Sequence, residues 1–454
     1  MNEALKTELT KISGSASFRK ARENAMGSKN PSDRLNHLSA YMKNILEDSS
    51  LCVMGRTFYY FDGCSYLEIG RDELNTLLYN FMCDTGVMPS DVVRVLPHCF
   101  FKIQDKPFRP QANLIAFENC ILNVDNMRTF SFSDKLHVNY KVNYSYDPQA
   151  ECPMWEKFLN RVLPDKTKQA VLQEFIGMIY LDRTRVSVEK ALFLLGKGAN
   201  GKSVIARVIK GIVGPGAVCS FTPQQLTYSE YAVAETEGKR LNYCEEIDSR
   251  GEVTDKMKAI ISSEPIQARR PYGEYISVRP PAMIFNLNEL PPMPDRSYGF
   301  WRRQLIVRFE VTIPERERDK MLSEKMKEEY PGIFRWAMDG LARLKSQNYE
   351  FSSSKDVDDA IETARAENNP VLAFMREYGY MPEPLFPGQE IEKMRASDLA
   401  AKFYNEYLGI DGVPPKVDIV RMGKELSRLG YRKIKSNQIF YEIFMDSVKN
   451  TKNG

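Results

Sequence analysis

Between residues 165 and 180 the apolar positions Val171, Leu172, Phe175, Ile176 and Ile179 recur at three- and four-residue steps. That is the period of one helical face. Asp165 stands where a side-chain oxygen can cap the helix start. A shorter helix is predicted just upstream in CPMWEKFLNRVL, because the fixed φ and missing N–H of Pro153 suit a first helical turn. The period then changes. KALFLL (190–195) is a wholly apolar run, the pattern of a strand buried on both faces. After GKGANGKS (196–203), Val204, Ile205, Val208, Ile209 and Ile212 again share a helical face. Two further apolar runs, RLNYC (240–244) and PAMIFNL (281–287), alternate with helical stretches. Strand–helix alternation of this kind predicts an α/β fold.

The flanks read differently. TFYYFDGCSYLEI (57–69) predicts two aromatic strands turning at Asp62–Gly63, and NLIAFENCILNVDNMRTFSF (113–132) predicts more short strands. The expected organisation is a strand-rich N-terminal domain over 1–145, a helical lead-in over 146–185 and the α/β core over 186–345. A polar linker follows over 346–364. Over 365–454 the order helix, helix, helix, hairpin is that of a winged helix.

Composition narrows the chemistry. A chain of 454 residues is long for one core. Its net charge of +3 excludes a polycation, so any nucleic-acid contact must come from local basic patches. Eight cysteines without a C-x-x-C pair, and only three histidines, offer no zinc spacing. Reduced thiols are expected, and His98 and His137 read as structural or surface residues. The N-terminus MNEALKTELTKISGS lacks the apolar segment of a secretory signal, and the longest apolar stretch, EFIGMIYL, is too short to span a bilayer. A soluble protein in the cytoplasm is expected.

The candidate chemistry centres on GKGANGKS, which matches G-x-x-x-x-G-K-[ST]. Gly196, Gly198, Asn200 and Gly201 would fold the backbone so that its N–H groups face phosphate oxygens. Lys202 would reach the β- and γ-phosphates, and Ser203 would ligate Mg²⁺. Glu245 and Glu246 end the RLNYC strand; Glu245 is assigned to the metal and Glu246 to water activation, with Asp248 as a weaker candidate. Asn288, or its neighbour Asn286, could hydrogen-bond the attacking water. Some fifteen residues later, GFWRRQLIVRF sets Arg302 beside Arg303. Their partner would be the γ-phosphate of a nucleotide in a neighbouring subunit, or Glu289 or Asp295 in an ion pair. Between the acidic pair and Asn288, ARRPYGEYISV predicts a hairpin. Lys258, Arg269, Arg270 and Tyr272 there combine cations with an aromatic face, as single-stranded DNA binding requires. Lys416, Arg421, Lys424, Arg428, Arg432, Lys433 and Lys435 make a basic face in the C-terminal region, suited to duplex DNA.

The order and spacing of GKGANGKS, YCEEID, KAIISSEPIQARRPYGE, IFNLNELP and FWRRQLIVRF resemble the superfamily-3 helicases. The likeness is to the helicase half of phage, plasmid and poxvirus primase–helicases, and covers residues from about 100 to 450. It implies an AAA+-like core, ATP and Mg²⁺ as cofactors, and a hexameric ring that pulls single-stranded DNA in the 3′-to-5′ direction. It also implies an arginine finger supplied in trans: Arg303, with Arg302 left open. The N-terminus departs from the family, because only about 100 residues stand where a primase domain would precede. Primer synthesis is not expected, and a primase would be a separate partner. The expected function is ATP-dependent DNA unwinding for replication of a phage or mobile element. An ATP-switched initiator or loader is the alternative, and a small-molecule kinase fits poorly.

Overall fold

The computed structural model describes residues 3–55, 57–103, 105–245, 255–271, 273, 275–289, 298–367, 369–410, 413–435 and 437–445. The first hundred residues are mainly helical, which corrects the strand-rich expectation. Helices α1 (Glu3–Ser13), α2 (Ala16–Gly27) and α3 (Pro31–Asp48) precede a small antiparallel sheet of β1 (Cys52–Met54), β2 (Thr57–Phe61) and β3 (Tyr66–Ile69). Helices α4 (Arg71–Asp84) and α5 (Pro89–Ile103) follow. The signal lay in α3, where Leu38, Tyr41, Met42, Ile45 and Leu46 are buried at helical steps. They pack with Val92, Val95 and Leu96 of α5 in a core of their own. Within this stretch the aromatic hairpin is as expected: Phe61 pairs with Tyr66, and the Asp62 carboxylate accepts from the Cys64 and Ser65 N–H groups at 2.8 and 2.7 Å.

A three-strand antiparallel meander, β4 (Leu114–Ala116), β5 (Ile121–Asn123) and β6 (Arg128–Phe130), leads into helices α6 (Pro153–Val162) and α7 (Lys166–Met178). Asp165 caps α7 as predicted, accepting from the Thr167 N–H at 2.7 Å.

The central layer runs from β7 (Ala191–Leu195) and α8 (Lys202–Val213) to β8 (Val218–Cys219), α9 (Pro223–Tyr228), α10 (Glu230–Ala234) and β9 (Leu241–Cys244). Helix α11 (Asp255–Ile261) and the hairpin β10 (Ile266–Arg269)–β11 (Tyr275–Val278) come next. The layer ends with β12 (Ala282–Leu287), α12 (Tyr298–Trp301) and β13 (Gln304–Arg308). Five strands form one parallel sheet in the order β13-β7-β12-β9-β8. In β7, Leu192 and Leu194 point to one apolar layer, and Ala191 and Phe193 to the other. That two-sided burial explains the unbroken apolar run.

Helices α13 (Leu322–Lys325) and α14 (Tyr330–Ser346) close one face. Helix α14 crosses α7 at glycines. A Cβ on Gly340 would sit 2.5 Å from the Gln173 carbonyl oxygen, and one on Gly177 would overlap the Ala337 carbonyl. Helix α15 (Lys355–Glu367) occupies much of the stretch expected to be a linker. Its Val357, Ala360 and Ala364 are buried against the core, so 346–364 is not a free tether. The polar composition of that stretch hid the three small apolar residues.

The last region holds α16 (Pro370–Glu377), β14 (Tyr380–Met381), β15 (Ile391–Arg395), α17 (Ala396–Lys402), α18 (Lys416–Arg428), β16 (Lys433–Lys435) and β17 (Ile439–Met445). Phe374, Leu399, Met422, Leu426 and Tyr441 make its core. The three helices and the β16–β17 hairpin match the predicted order, whereas β14 and β15, both paired with β17, were not predicted.

Gly340→Ala and Gly177→Ala each force a methyl group into backbone atoms of the facing helix. Each is expected to lower unfolding stability by about 1–3 kcal/mol, measured by denaturant titration of the full chain.

Candidate functional site

At the carboxyl ends of β7, β9 and β12 lies a cavity of about 670 Å³. This is where an open parallel sheet binds ligands. Residues 196–203, the glycine loop, run directly from β7 into α8. The loop has almost no slack. A Cβ on Gly196 would lie 2.5 Å from the Asn200 Nδ2 and overlap the Phe309 carbonyl. Gly201 has φ +90°, a conformation glycine adopts without strain, and a Cβ there would meet the Phe158 ring at 2.9 Å. Ala199 holds φ +63°, and its carbonyl accepts from the Ile313 N–H at 2.8 Å. Asn200 is an internal strut whose amide donates to the Lys197 carbonyl at 2.7 Å.

Lys202 begins α8 with only 4% of its surface exposed. Its ammonium donates to the Gly196 carbonyl and, at 3.3 Å, to the Asn200 Oδ1. Burial lowers the Lys202 pKa from the usual lysine value. Ser203, Glu245, Asn286 and Asn288 also line the cavity. Glu245 follows β9, and the Lys210 ammonium donates to its carboxylate at 2.5 Å. Lys210 also lies 4.9 Å from the centre of the Tyr243 ring. Asn286 is the more enclosed of the two asparagines; its buried Oδ1 accepts no hydrogen bond among the described residues. Asn288 is exposed, one residue past β12. Glu246 and Asp248 lie outside the described residues.

The far wall was missed by sequence reasoning. Met154, Lys157, Phe158 and Arg161 of α6 face the cavity, opposite Ile313 and Leu322. Phe158 belongs to the stripe Trp155, Phe158, Leu159 and Val162, which the sequence shows as an ordinary core face, while Lys157 and Arg161 carry no apolar signal.

The two arginines stand elsewhere. Arg303 O accepts from the Ala191 N–H at the start of β7, so both residues lie at the amino end of the sheet. Arg303 is 12% exposed at its side chain and has three kinds of partner. It pairs with Glu189 at 2.9 Å, and donates to the Ser262 Oγ at 2.9 Å and the Gly299 carbonyl at 2.6 Å. Arg302 is 47% exposed and pairs with Glu189 at 2.6 Å. Glu189 thus takes the part considered for Glu289 or Asp295; Asp295 lies outside the described residues.

In the β10–β11 hairpin, the Arg269 guanidinium donates to the Gly273 carbonyl at 3.0 Å and lies 5.7 Å from the Tyr275 ring centre. Tyr275 is 60% exposed. Arg270 pairs with Glu237 at 2.8 Å. Lys258 lies on the preceding α11. Tyr272 lies outside the described residues. On α18 and after it, Arg421, Arg428 and Arg432 have exposed side chains with ion-pair partners at 3.3–3.7 Å. His137, expected to be structural or at the surface, accepts from the Arg109 N–H at 2.9 Å and stacks on Phe108. Among the described residues no helix is long and apolar enough to cross a membrane, and no group of three or more His, Cys, Asp or Glu side chains is placed to hold a metal.

Residues 88–164 match a family model described as D5 N terminal like. Residues 194–303 match one described as a family of unknown function, DUF5906. Over 208 residues, 43% of this chain, the sequence is 28% identical to a protein of Acanthamoeba polyphaga mimivirus named "Putative helicase L207/L206". The aligned part is 22% of that relative's length. The fold is similar to the apo C-terminal region of NrS-1, with a TM-score of 0.55 at 13% identity over 89% of this chain and 98% of that one. A second apo structure of the same region gives 0.53 at 12% identity, over 90% and 99%. The chain thus carries a D5-like segment, is similar in sequence to a viral relative named as a putative helicase, and shares its fold with the C-terminal region of NrS-1.

Proposed function

We propose that this chain is an ATP-dependent DNA helicase that moves along single-stranded DNA as a homo-oligomeric ring, most simply a hexamer, during replication of a phage or mobile element. The observation that carries the proposal is the separation of two halves of one chemistry. The glycine loop, Lys202, Ser203, Glu245 and the asparagines share a cavity at the carboxyl ends of the sheet. Arg302 and Arg303 sit at its amino end. Five residues of β13 at about 3.3 Å each separate the two ends by about 16 Å. An arginine so placed serves a phosphate in an adjacent subunit and not in its own.

In this reading the AAA+-like core binds triphosphate through the loop N–H groups at the start of α8 and through Lys202. Ser203 and Glu245 would hold Mg²⁺, since two oxygen donors plus phosphates and water suit that hard cation. When bound, the ion neutralises charge on the phosphates. Lys210 orients the Glu245 carboxylate. Asn286, whose buried oxygen accepts no hydrogen bond among the described residues, is favoured over Asn288 to orient water; Glu246 is the proposed base. Arg302 is favoured over Arg303 as the finger in trans, because Arg303 is held by acceptors of its own chain. Single-stranded DNA would run along the β10–β11 hairpin, with Lys258, Arg269 and Arg270 toward phosphates. Tyr275 and Tyr272 would offer stacking faces. The winged-helix reading of the C-terminal region gives α18 a duplex contact. A separate primase and a cytoplasmic location complete the proposal.

Lys202→Met is expected to abolish ATP binding in titration calorimetry while melting no lower than the wild type at pH 7. The pKa of folded Lys202 lies below its unfolded value, so the charged side chain costs stability below both values. That cost is relieved as pH rises toward the ordinary lysine value. Any stability advantage of Lys202→Met therefore shrinks with rising pH in thermal melts.

Arg302→Ala is expected to lose ATPase and unwinding of a tailed duplex by about 10³-fold or more. Mixing it with Lys202→Met should restore part of the ATPase, because a mixed interface joins an intact loop to an intact finger. Full activity of Arg302→Ala, or no recovery in mixed assemblies confirmed by mass spectrometry, would refute the assignment. ATPase without strand separation would favour an initiator or loader.

A further inference from the structure

We propose that the base of the bound nucleotide is gripped between the lead-in helix α6 and the 313–322 segment, and that this slot selects purines by ring size, with little discrimination between adenine and guanine. The inference rests on the reading of the glycine loop as the phosphate site.

With Lys202, Ser203 and Glu245 at the phosphate end, the rest of the cavity lies between two apolar walls. One is Met154 and Phe158 on α6, and the other is Ile313 and Leu322. The slot cannot drift from the loop. Phe158 packs on Gly201, and the Ile313 N–H is tied to the Ala199 carbonyl at 2.8 Å. The two walls are therefore registered to the phosphate end by direct contact. The cavity's 670 Å³ falls in the range that encloses small ligands.

The rim explains the expected selectivity. Arg161 and Glu317, one from each wall, pair with each other across the slot. Lys325 pairs with Asp319 at 2.6 Å, and Arg318 donates to the Ile313 carbonyl at 2.9 Å. Each of these five charged groups has a partner within the chain, and Lys157 on the α6 wall adds one cation, which either purine can meet with an acceptor nitrogen. Strong discrimination between analogues arises where a site is built to hydrogen-bond them; apolar walls discriminate weakly and by size. A purine covers more of such walls than a pyrimidine does.

The test is titration calorimetry on the full chain with magnesium complexes of ATP, GTP, CTP and tripolyphosphate, which has the phosphates without a base. ATP and GTP should bind within about threefold of each other, and CTP about tenfold more weakly. Leu322→Asp should weaken ATP about tenfold, close the gap to CTP and leave tripolyphosphate unchanged. Met154→Ser on the opposite wall should do the same, and it carries the test if thermal melting shows Leu322→Asp unfolded. A large preference for ATP over GTP, or loss of tripolyphosphate in step with ATP in folded wall variants, would overturn the slot. Tripolyphosphate binding that survives in Lys202→Met would instead remove the phosphate reading on which the slot depends.

Discussion

The site depends on how β7 leaves the sheet. The strand is paired on both edges, by β12 and β13, and covered by apolar layers on both faces. A chain leaving such a position must turn at once into α8, among groups that have no room to move. Gly196 abuts Phe309 on the neighbouring strand's exit and Gly201 abuts Phe158 on α6, while the Ala199 carbonyl holds Ile313. Two of these neighbours, Phe158 and Ile313, themselves line the cavity, on different elements. Packing around the loop therefore shapes the cavity before any ligand arrives, and that preorganisation reduces what binding must order.

Two buried charges extend this rigidity outward. Lys168 of α7 pairs with Asp356 of α15 at 2.8 Å and with Glu310 at 3.5 Å, and donates to the Arg308 carbonyl at 3.3 Å. It thus joins the exit of β13 to the helix that leads to the C-terminal region. Glu174, fully buried, accepts from Arg343 at 2.6 Å and from the Ser352 N–H at 2.8 Å. Desolvating such groups is costly, so they add less to net stability than their short distances imply. Their effect here is directional: α7, α14 and α15 have satisfied polar contacts in one arrangement. A movement of the β13 exit would act on α15 through Lys168.

How legible the chain was depended on what kind of signal each part carried. The sheet was readable because a short unbroken apolar run suits little besides a strand buried on both faces, and the glycine loop because its spacing is specific. The N-terminal helices were not. Polar residues fill the gaps between the buried positions of α3, and the aromatic hairpin that follows is a louder pattern. The cavity's loop-side residues were named from motifs, with Asn288 put ahead of Asn286, and burial reverses that order. The α6 wall was hidden for a different reason. A helical stripe shows which residues face inward, and only the tertiary structure shows that part of the interior is empty.

The arginine pair illustrates the same limit. Sequence order put two cations after the glycine-loop and acidic motifs, and the family resemblance pointed to Arg303 with Arg302 left open. The fold separates them. Arg303 is enclosed by Glu189, Ser262 and the Gly299 carbonyl, and removing its charge would leave buried acceptors without their donor. The Arg302 side chain, among the described residues, shares only the Glu189 carboxylate and is 47% exposed, where an ion pair contributes little. An exposed guanidinium can exchange that partner for a phosphate on a neighbouring surface at small cost, whereas the buried one would have to give up several contacts. Of the two, Arg302 is therefore the one whose release from Glu189 costs less.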